Sequence, residues 1–201
     1  METTLTHPVP TAGRLDPPAS ATTRLRWAWP VAIIVGVPIG GLVANLVVGK
    51  IDGVGPALAG GLIAGAIIGA AQWLALRPFT SWLWIVATSF GMAAGLTAGA
   101  ALVNYGISRG DLALMGAVTG LAVGGLQAIL LARRGSGALW WLAVNPPAWA
   151  LAWFVTTFVI TKNVKEHFAV FGASGAIVFA LLTWLVLTFL FQPDEREPQA
   201  R

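Results

Sequence analysis

Residues 61–77 form a long apolar stretch in which glycine recurs at every fourth position. Gly61, Gly65 and Gly69 are followed by Gln72, and every side chain between them is apolar. At ~100° per residue these four positions share one narrow face of an α-helix. A stretch this apolar favours a helix that crosses a membrane, and a G-x-x-x-G face lets such a helix pack closely against another.

The same stretch occurs three times in the chain. The second copy begins at Gly116, 55 residues after Gly61, and ends its stripe with Gln127. A degraded third copy begins 56 residues later, at Gly172, and has Thr183 where the glutamine stood. One membrane element has therefore been used three times.

The helix that precedes each copy also repeats. Trp29 is followed 55 residues later by Trp84, and Trp140 stands a further 56 residues on. The repeating unit is a two-helix hairpin, and an even number of spans per unit gives parallel repeats. We predict an all-α integral membrane protein with six transmembrane helices, built as three parallel-repeated hairpins over residues 27–76, 82–132 and 139–191. The three hairpins form a pseudo-threefold bundle if they close on themselves, but a row of three hairpins would have the same repeat in its sequence.

The composition agrees with a polytopic membrane protein. Of the 201 residues 57% are hydrophobic and 10% charged, which is too apolar for a soluble domain of this size. The chain has no cysteine, which excludes disulfides and thiol chemistry. We place a disordered tail at 1–26, a second tail at 192–201, and spans at 27–48, 57–76, 82–103, 112–132, 139–160 and 168–191.

The basic residues predict the orientation. Eight would lie inside if both termini are cytoplasmic, and four outside, as the positive-inside rule prefers. The inner set is Arg14, Arg24, Arg26, Arg77, Arg133, Arg134, Arg196 and Arg201, and the outer set is Lys50, Arg109, Lys162 and Lys165. Because the basic residues lie in tails and turns, we expect topology rather than nucleic-acid binding to explain the net charge of +4.

The residues that usually carry chemistry are missing from the predicted spans. Both histidines and all eight carboxylates fall in tails or turns. Proton relays and metal centres need such groups inside the protein, and we find no nucleophile with a nearby base. We therefore expect no enzymatic activity, no metal and no cofactor.

Nine glycines on the second, third and fourth helices are the candidate packing residues. We expect them to form contacts within the bundle, because the stripes recur with the repeat and the contacts between its helices recur in the same way. The alternative is a docking face for another integral membrane protein or a second copy. They are Gly61, Gly65, Gly69, Gly91, Gly95, Gly99, Gly116, Gly120 and Gly124.

Three amides form the candidate polar site. Gln72 and Gln127 follow their glycine stripes on the packing face, where a carboxamide bonds across to a neighbouring helix. As a pair they could also line a site for a neutral ligand. Asn145 precedes Pro146 and Pro147 in the fifth helix, where we expect a kink or a break.

Aromatic and basic residues mark the predicted cytoplasmic ends of the helices. We interpret the tryptophans there, including Trp29, Trp84 and Trp141, as an aromatic belt at the interface. A second group, Arg77, Arg133 and Arg134, directly follows the two glycine helices and would meet anionic lipid headgroups.

These observations predict a small non-enzymatic protein of the bacterial cytoplasmic membrane, acting as a structural or accessory subunit that packs through its glycine-striped helix faces. The alternative is a channel, or the substrate-binding membrane component of a transporter, for a neutral small solute.

Overall fold

The computed structural model describes residues 19–133, 137–159 and 173–190, and this part of the chain is helical with short connections. Five of the helices are long and apolar enough to cross a membrane, and the sixth is apolar but shorter over its described residues. The helices are α1 (Ala19–Val48), α2 (Val54–Leu76), α3 (Leu83–Leu102), α4 (Arg109–Ala132), α5 (Ala138–Val159) and α6 (Ala173–Leu190).

The predicted spans and the observed helices agree closely in the middle of the chain and differ at its start. Helix α1 begins at Ala19, so residues 19–26 are helical and the prediction of a tail through residue 26 was wrong there. Alanine favours helix, and Leu25 is buried against the bundle, which gives this extension a packing reason. The rest of both predicted tails, and residues 168–172 of the sixth span, lie outside the described residues.

Helix α5 runs unbroken through Pro146 and Pro147, so the break expected there does not occur. Each proline removes one backbone donor. Membrane helices tolerate this where a neighbouring helix supports the interrupted turn. Helix α4 lies directly against this turn, because a methyl group at Gly120 would lie 2.5 Å from the Asn145 carbonyl oxygen.

Each helix packs against the helix before it and the helix after it, and α6 packs against α1. The six described helices therefore form a closed ring. A hydrogen bond across the closing contact joins the indole Nε1–H of Trp184, on α6, to the carbonyl oxygen of Arg26, on α1, at 3.0 Å.

The glycine stripes lie in the contacts between consecutive helices. A methyl group at Gly65 of α2 would lie 2.6 Å from the Cα of Ser89 on α3, and one at Gly95 of α3 would lie 2.5 Å from the Cα of Thr119 on α4. The stripe of α4 faces α5 in the same way, through Gly116 and Gly120. All nine predicted glycines are used in this manner: Gly61, Gly65 and Gly69 against α3, Gly91, Gly95 and Gly99 against α4, and Gly116, Gly120 and Gly124 against α5.

The register of these contacts shows that neighbouring helices are antiparallel. Along α2, Gly61 meets Ala93 whereas Gly69 meets Ile85, so the partner position on α3 falls as the position on α2 rises. Aliphatic and aromatic side chains such as Leu46 and Phe90 cover the outside of the ring, where they can face lipid.

Candidate functional site

Three buried tryptophans each donate a hydrogen bond to a polar side chain on an adjacent helix. The Nε1–H of Trp84 donates to Gln72 Oε1, and that of Trp141 donates to Gln127 Oε1, both at 2.9 Å. The third bond runs from Trp29 to Thr183 Oγ1, also at 2.9 Å. These bonds connect α2 to α3, α4 to α5 and α6 to α1, so one of them spans the closing contact of the ring.

The same three tryptophans meet inside the ring. Trp141 has its ring centroid 5.6 Å from that of Trp29, in an edge-to-face arrangement, and 5.9 Å from that of Trp84. The three residues come from α1, α3 and α5, whose backbones are not adjacent in the ring. Their side chains must therefore reach inward, and all three are fully buried.

The two glutamines bond to each other as well as to the tryptophans. Gln127 Nε2 donates to Gln72 Oε1 at 3.0 Å and to the Thr88 hydroxyl oxygen at 2.8 Å, and that hydroxyl donates to the Trp84 carbonyl at 2.8 Å. An indole N–H is a donor only, so each bond to a tryptophan fixes which end of the amide is the oxygen. The structure thus brings together Gln72 and Gln127, two of the three predicted polar residues.

Asn145 lies one helical turn beyond Trp141 and has a different environment. Its Nδ2 donates to the Trp141 carbonyl at 2.8 Å, and its side chain is fully buried. A methyl group at Gly124 would lie 2.6 Å from the Asn145 Cβ, so the asparagine occupies the space that this glycine leaves. Its Oδ1 has no hydrogen-bond partner among the described residues.

The tryptophans at this end of the bundle divide into two groups. Trp27, Trp82 and Trp140 are exposed on the outside, where an aromatic belt is expected. Interpreting Trp29, Trp84 and Trp141 as part of that belt was wrong, because they form the interior. The predicted match of Trp140 with Trp84 does not agree with their burial, because Trp140 is 70% exposed, whereas Trp141 is fully buried, as Trp84 is.

Exposed arginines surround this end of the ring. Arg77 and Arg133 follow the last turns of α2 and α4, and Arg24 and Arg26 lie near the start of α1. Arg134 lies outside the described residues. We call the set Arg24, Arg26, Arg77 and Arg133 the arginine rim. The opposite end of the described bundle carries both signs of charge, with Lys50, Asp52, Arg109 and Asp111.

Sequence reasoning missed the indole donors, which complete the cluster. The sequence contained a signal that pairs them with the glutamines: Trp29 and Trp84 are 55 residues apart, and so are Gln72 and Gln127. The cluster contains amide, hydroxyl and indole groups and no ionisable side chain, so its chemistry is hydrogen bonding without proton transfer.

No family model matches the chain, and the comparisons with curated proteins and with solved structures also give no match.

Proposed function

We propose that this chain is a small non-enzymatic protein of the bacterial cytoplasmic membrane, acting as a structural or accessory subunit. In this proposal it has six spans, arranged as three parallel-repeated hairpins around a pseudo-threefold axis. The observation that carries the proposal is the filled interior, because three tryptophans occupy the inside of the ring. The glycine stripes all lie in contacts between helices of this chain. A protein partner can therefore contact only the outer surface and the two ends.

Equivalent contacts at intervals of 55 to 57 residues support the three-hairpin arrangement. Gly40 of α1 approaches the Ala64 carbonyl of α2, and 55 residues on Gly95 approaches Thr119. In the third hairpin the contact is reversed, because the glycine lies on the second helix: Gly175 of α6 approaches the Ala152 carbonyl of α5. Buried residues recur at the same interval in two further sets: Leu76, Leu131 and Leu187, and Ile68, Val123 and Phe179.

The uneven charge of the two ends supports a cytoplasmic location for both termini. The arginine rim contains four basic residues, and both of the acidic residues in the described part of the chain lie at the opposite end. The positive-inside rule favours the rim on the cytoplasmic side.

The rim also fits the headgroup region of an anionic bilayer. Arginines at the ends of spans attract acidic lipids, and each contributes about 1 kcal/mol near a charged surface. The exposed Trp27, Trp82 and Trp140 lie beside these arginines, where an amphipathic ring prefers the interface. We assign Arg77, Arg133 and Arg134 to lipid headgroups on these grounds.

An open channel is the less favoured alternative. The contact of Trp141 with both other buried tryptophans leaves no continuous aqueous path at that level of the ring. At the level of the tryptophans, Gln72 and Gln127 bond to each other and to indole N–H groups, which leaves their oxygens occupied rather than facing a pore.

Gentle purification from native membrane, followed by mass spectrometry of the accompanying molecules, tests the accessory role. We expect a stoichiometric integral membrane partner together with acidic lipids. The matched control is a chain carrying Gly65→Leu, which disrupts the bundle and should lose the partner. A wild-type chain that is folded and consistently alone would contradict the accessory role.

A further inference from the structure

The Oδ1 atom of Asn145 is a hydrogen-bond acceptor buried inside the membrane-spanning part of the ring. The side chain is fully buried, and this oxygen has no partner among the described residues. An unsatisfied buried polar group is destabilising, and a native structure rarely leaves such a group without water or a ligand. The oxygen therefore needs a donor that the described residues do not supply.

The neighbouring backbone also has fewer donors than a regular helix. Pro146 and Pro147 have no N–H, so the carbonyls of Leu142 and Ala143 cannot accept the usual helical bonds from the residues four positions later. Prolines in membrane helices often have their freed carbonyls satisfied by ordered water or neighbouring side chains. The helical turn that contains Asn145 thus lacks two backbone donors.

Comparison of the three hairpins shows that packing alone does not require this asparagine. Ile33, Thr88 and Asn145 each follow a buried tryptophan by four residues, and all three are fully buried. Thr88 donates to the Trp84 carbonyl as Asn145 donates to the Trp141 carbonyl, both at 2.8 Å, and its hydroxyl also accepts from Gln127. Only Asn145 adds an acceptor that remains unused. This comparison rests on the three-hairpin arrangement proposed above.

We propose that Asn145 Oδ1 binds a small neutral hydrogen-bond donor. A cation fits this acceptor less well, because the described spans bring no carboxylate into the interior to balance its charge. The occupant is small because Gly124 is in direct contact with the Asn145 side chain, and Trp141 and Trp149 are fully buried on the same helix face. The chemistry fits a water molecule or the hydroxyl group of a glycerol-sized solute.

The first arm of the test detects water. The full chain in lipid nanodiscs is exposed to an X-ray pulse, which generates hydroxyl radicals from bound water, and side-chain oxidation is measured by mass spectrometry. With oxidation assigned to single residues, we expect Trp141 and Trp149 to be oxidised at least threefold faster than the equally buried Trp84. The matched variant is Asn145→Thr, which copies Thr88 and keeps a donor for the Trp141 carbonyl while removing the unused oxygen.

The second arm detects a solute. Glycerol is titrated into the ¹⁵N-tryptophan-labelled chain, and the indole resonance of Trp141 is followed by NMR. A saturable shift that Asn145→Thr abolishes identifies a solute site. Fast oxidation that Asn145→Thr abolishes, without a glycerol shift, identifies bound water.

Two results would overturn the proposal. One is slow oxidation of Trp141 and Trp149 with no glycerol shift, because the oxygen would then be unoccupied; a higher melting temperature for Asn145→Thr would show that it is also destabilising. The other is oxidation or a shift that Asn145→Thr leaves unchanged. Neither result bears on the accessory role, which is tested by co-purification.

Discussion

At the scale of single residues, the bundle is organised by indole donors facing amide or hydroxyl acceptors. Trp141 is the centre of this arrangement, because it bonds to Gln127 and its ring contacts both Trp29 and Trp84. A buried hydrogen bond is most expensive when only one partner is removed, since the other is then left unsatisfied. The cluster should therefore be sensitive to loss of a single N–H group.

Replacing Trp141 with phenylalanine tests this sensitivity. Trp141→Phe leaves the Gln127 Oε1 without its indole donor, and we expect a loss of about 1–3 kcal/mol from that group. The neighbouring Trp140→Phe is the matched control, because Trp140 is 70% exposed and a surface change of this kind alters stability by less than about 0.5 kcal/mol. Thermal unfolding in detergent measures both. Equal melting temperatures for the two variants would contradict the role of Trp141.

Trp141 also shows what could not be predicted from the sequence at this scale, namely which of two adjacent tryptophans is buried. Adjacent residues on a helix point ~100° apart, so Trp140 and Trp141 face different environments. Which of them faces inward depends on the rotation of α5 against α4 and α6. Hydrophobicity cannot decide the matter, because a tryptophan suits both the lipid interface and the core.

At the scale of elements, the helices are held together by backbone contact along the glycine stripes. Without a hydrophobic force separating helix from lipid, close van der Waals packing supplies much of the association energy in membranes. The stripes were predictable from sequence, since their period alone places the glycines on one face. Which helix each stripe faces was not, because that depends on the order of helices around the ring.

Two glycines of α2 provide a matched pair for the packing claim. Gly65→Leu should prevent assembly of the bundle, because the first added carbon would lie 2.6 Å from the Ser89 Cα. Gly55→Leu lies on the same helix with open space around it and should be tolerated. Size-exclusion chromatography and the yield of folded protein distinguish these outcomes. A well-folded Gly65→Leu variant would contradict the observed contact between α2 and α3.

The prolines of α5 allow a test in which the substitution is expected to raise stability. Pro147 is exposed, so Pro147→Ala removes little packing and restores a donor for the Ala143 carbonyl. Interior proline costs a helix about 3 kcal/mol relative to alanine, and we expect the variant to have a higher melting temperature than wild type. A lower melting temperature would mean that α5 depends on the conformation that this proline imposes. The sequence predicted a kink or a break at these prolines but could not decide between them, because the outcome depends on how α4 and α6 pack against α5.

At the scale of the whole molecule, closure of the ring distinguishes this protein from a row of three hairpins. Short turns make consecutive helices neighbours, but they do not bring the first helix to the last. In the structure α6 packs on α1, and the Trp29–Thr183 bond lies in that contact. The repeat in the sequence was compatible with both arrangements, since closure depends on the angle accumulated between hairpins.

The proposed orientation can be tested with single cysteines, because the chain has none of its own. Ser81 is exposed in the turn beside the arginine rim, and Asp52 is exposed at the opposite end. With cytoplasmic termini, Asp52→Cys should react with a membrane-impermeant maleimide in intact cells, whereas Ser81→Cys should react only after permeabilisation. The reverse pattern would place the rim outside.

The indole resonances of the ¹⁵N-tryptophan-labelled chain in nanodiscs test the closed bundle most directly. We predict slow hydrogen exchange for Trp29, Trp84 and Trp141 and fast exchange for Trp27, Trp82 and Trp140. Because Trp29 on α1 bonds to Thr183 on α6, Thr183→Val should shift the Trp29 resonance and speed its exchange, while the more distant Trp84–Gln72 bond stays protected. A Trp29 resonance that Thr183→Val leaves unmoved would show that the first and last helices do not meet.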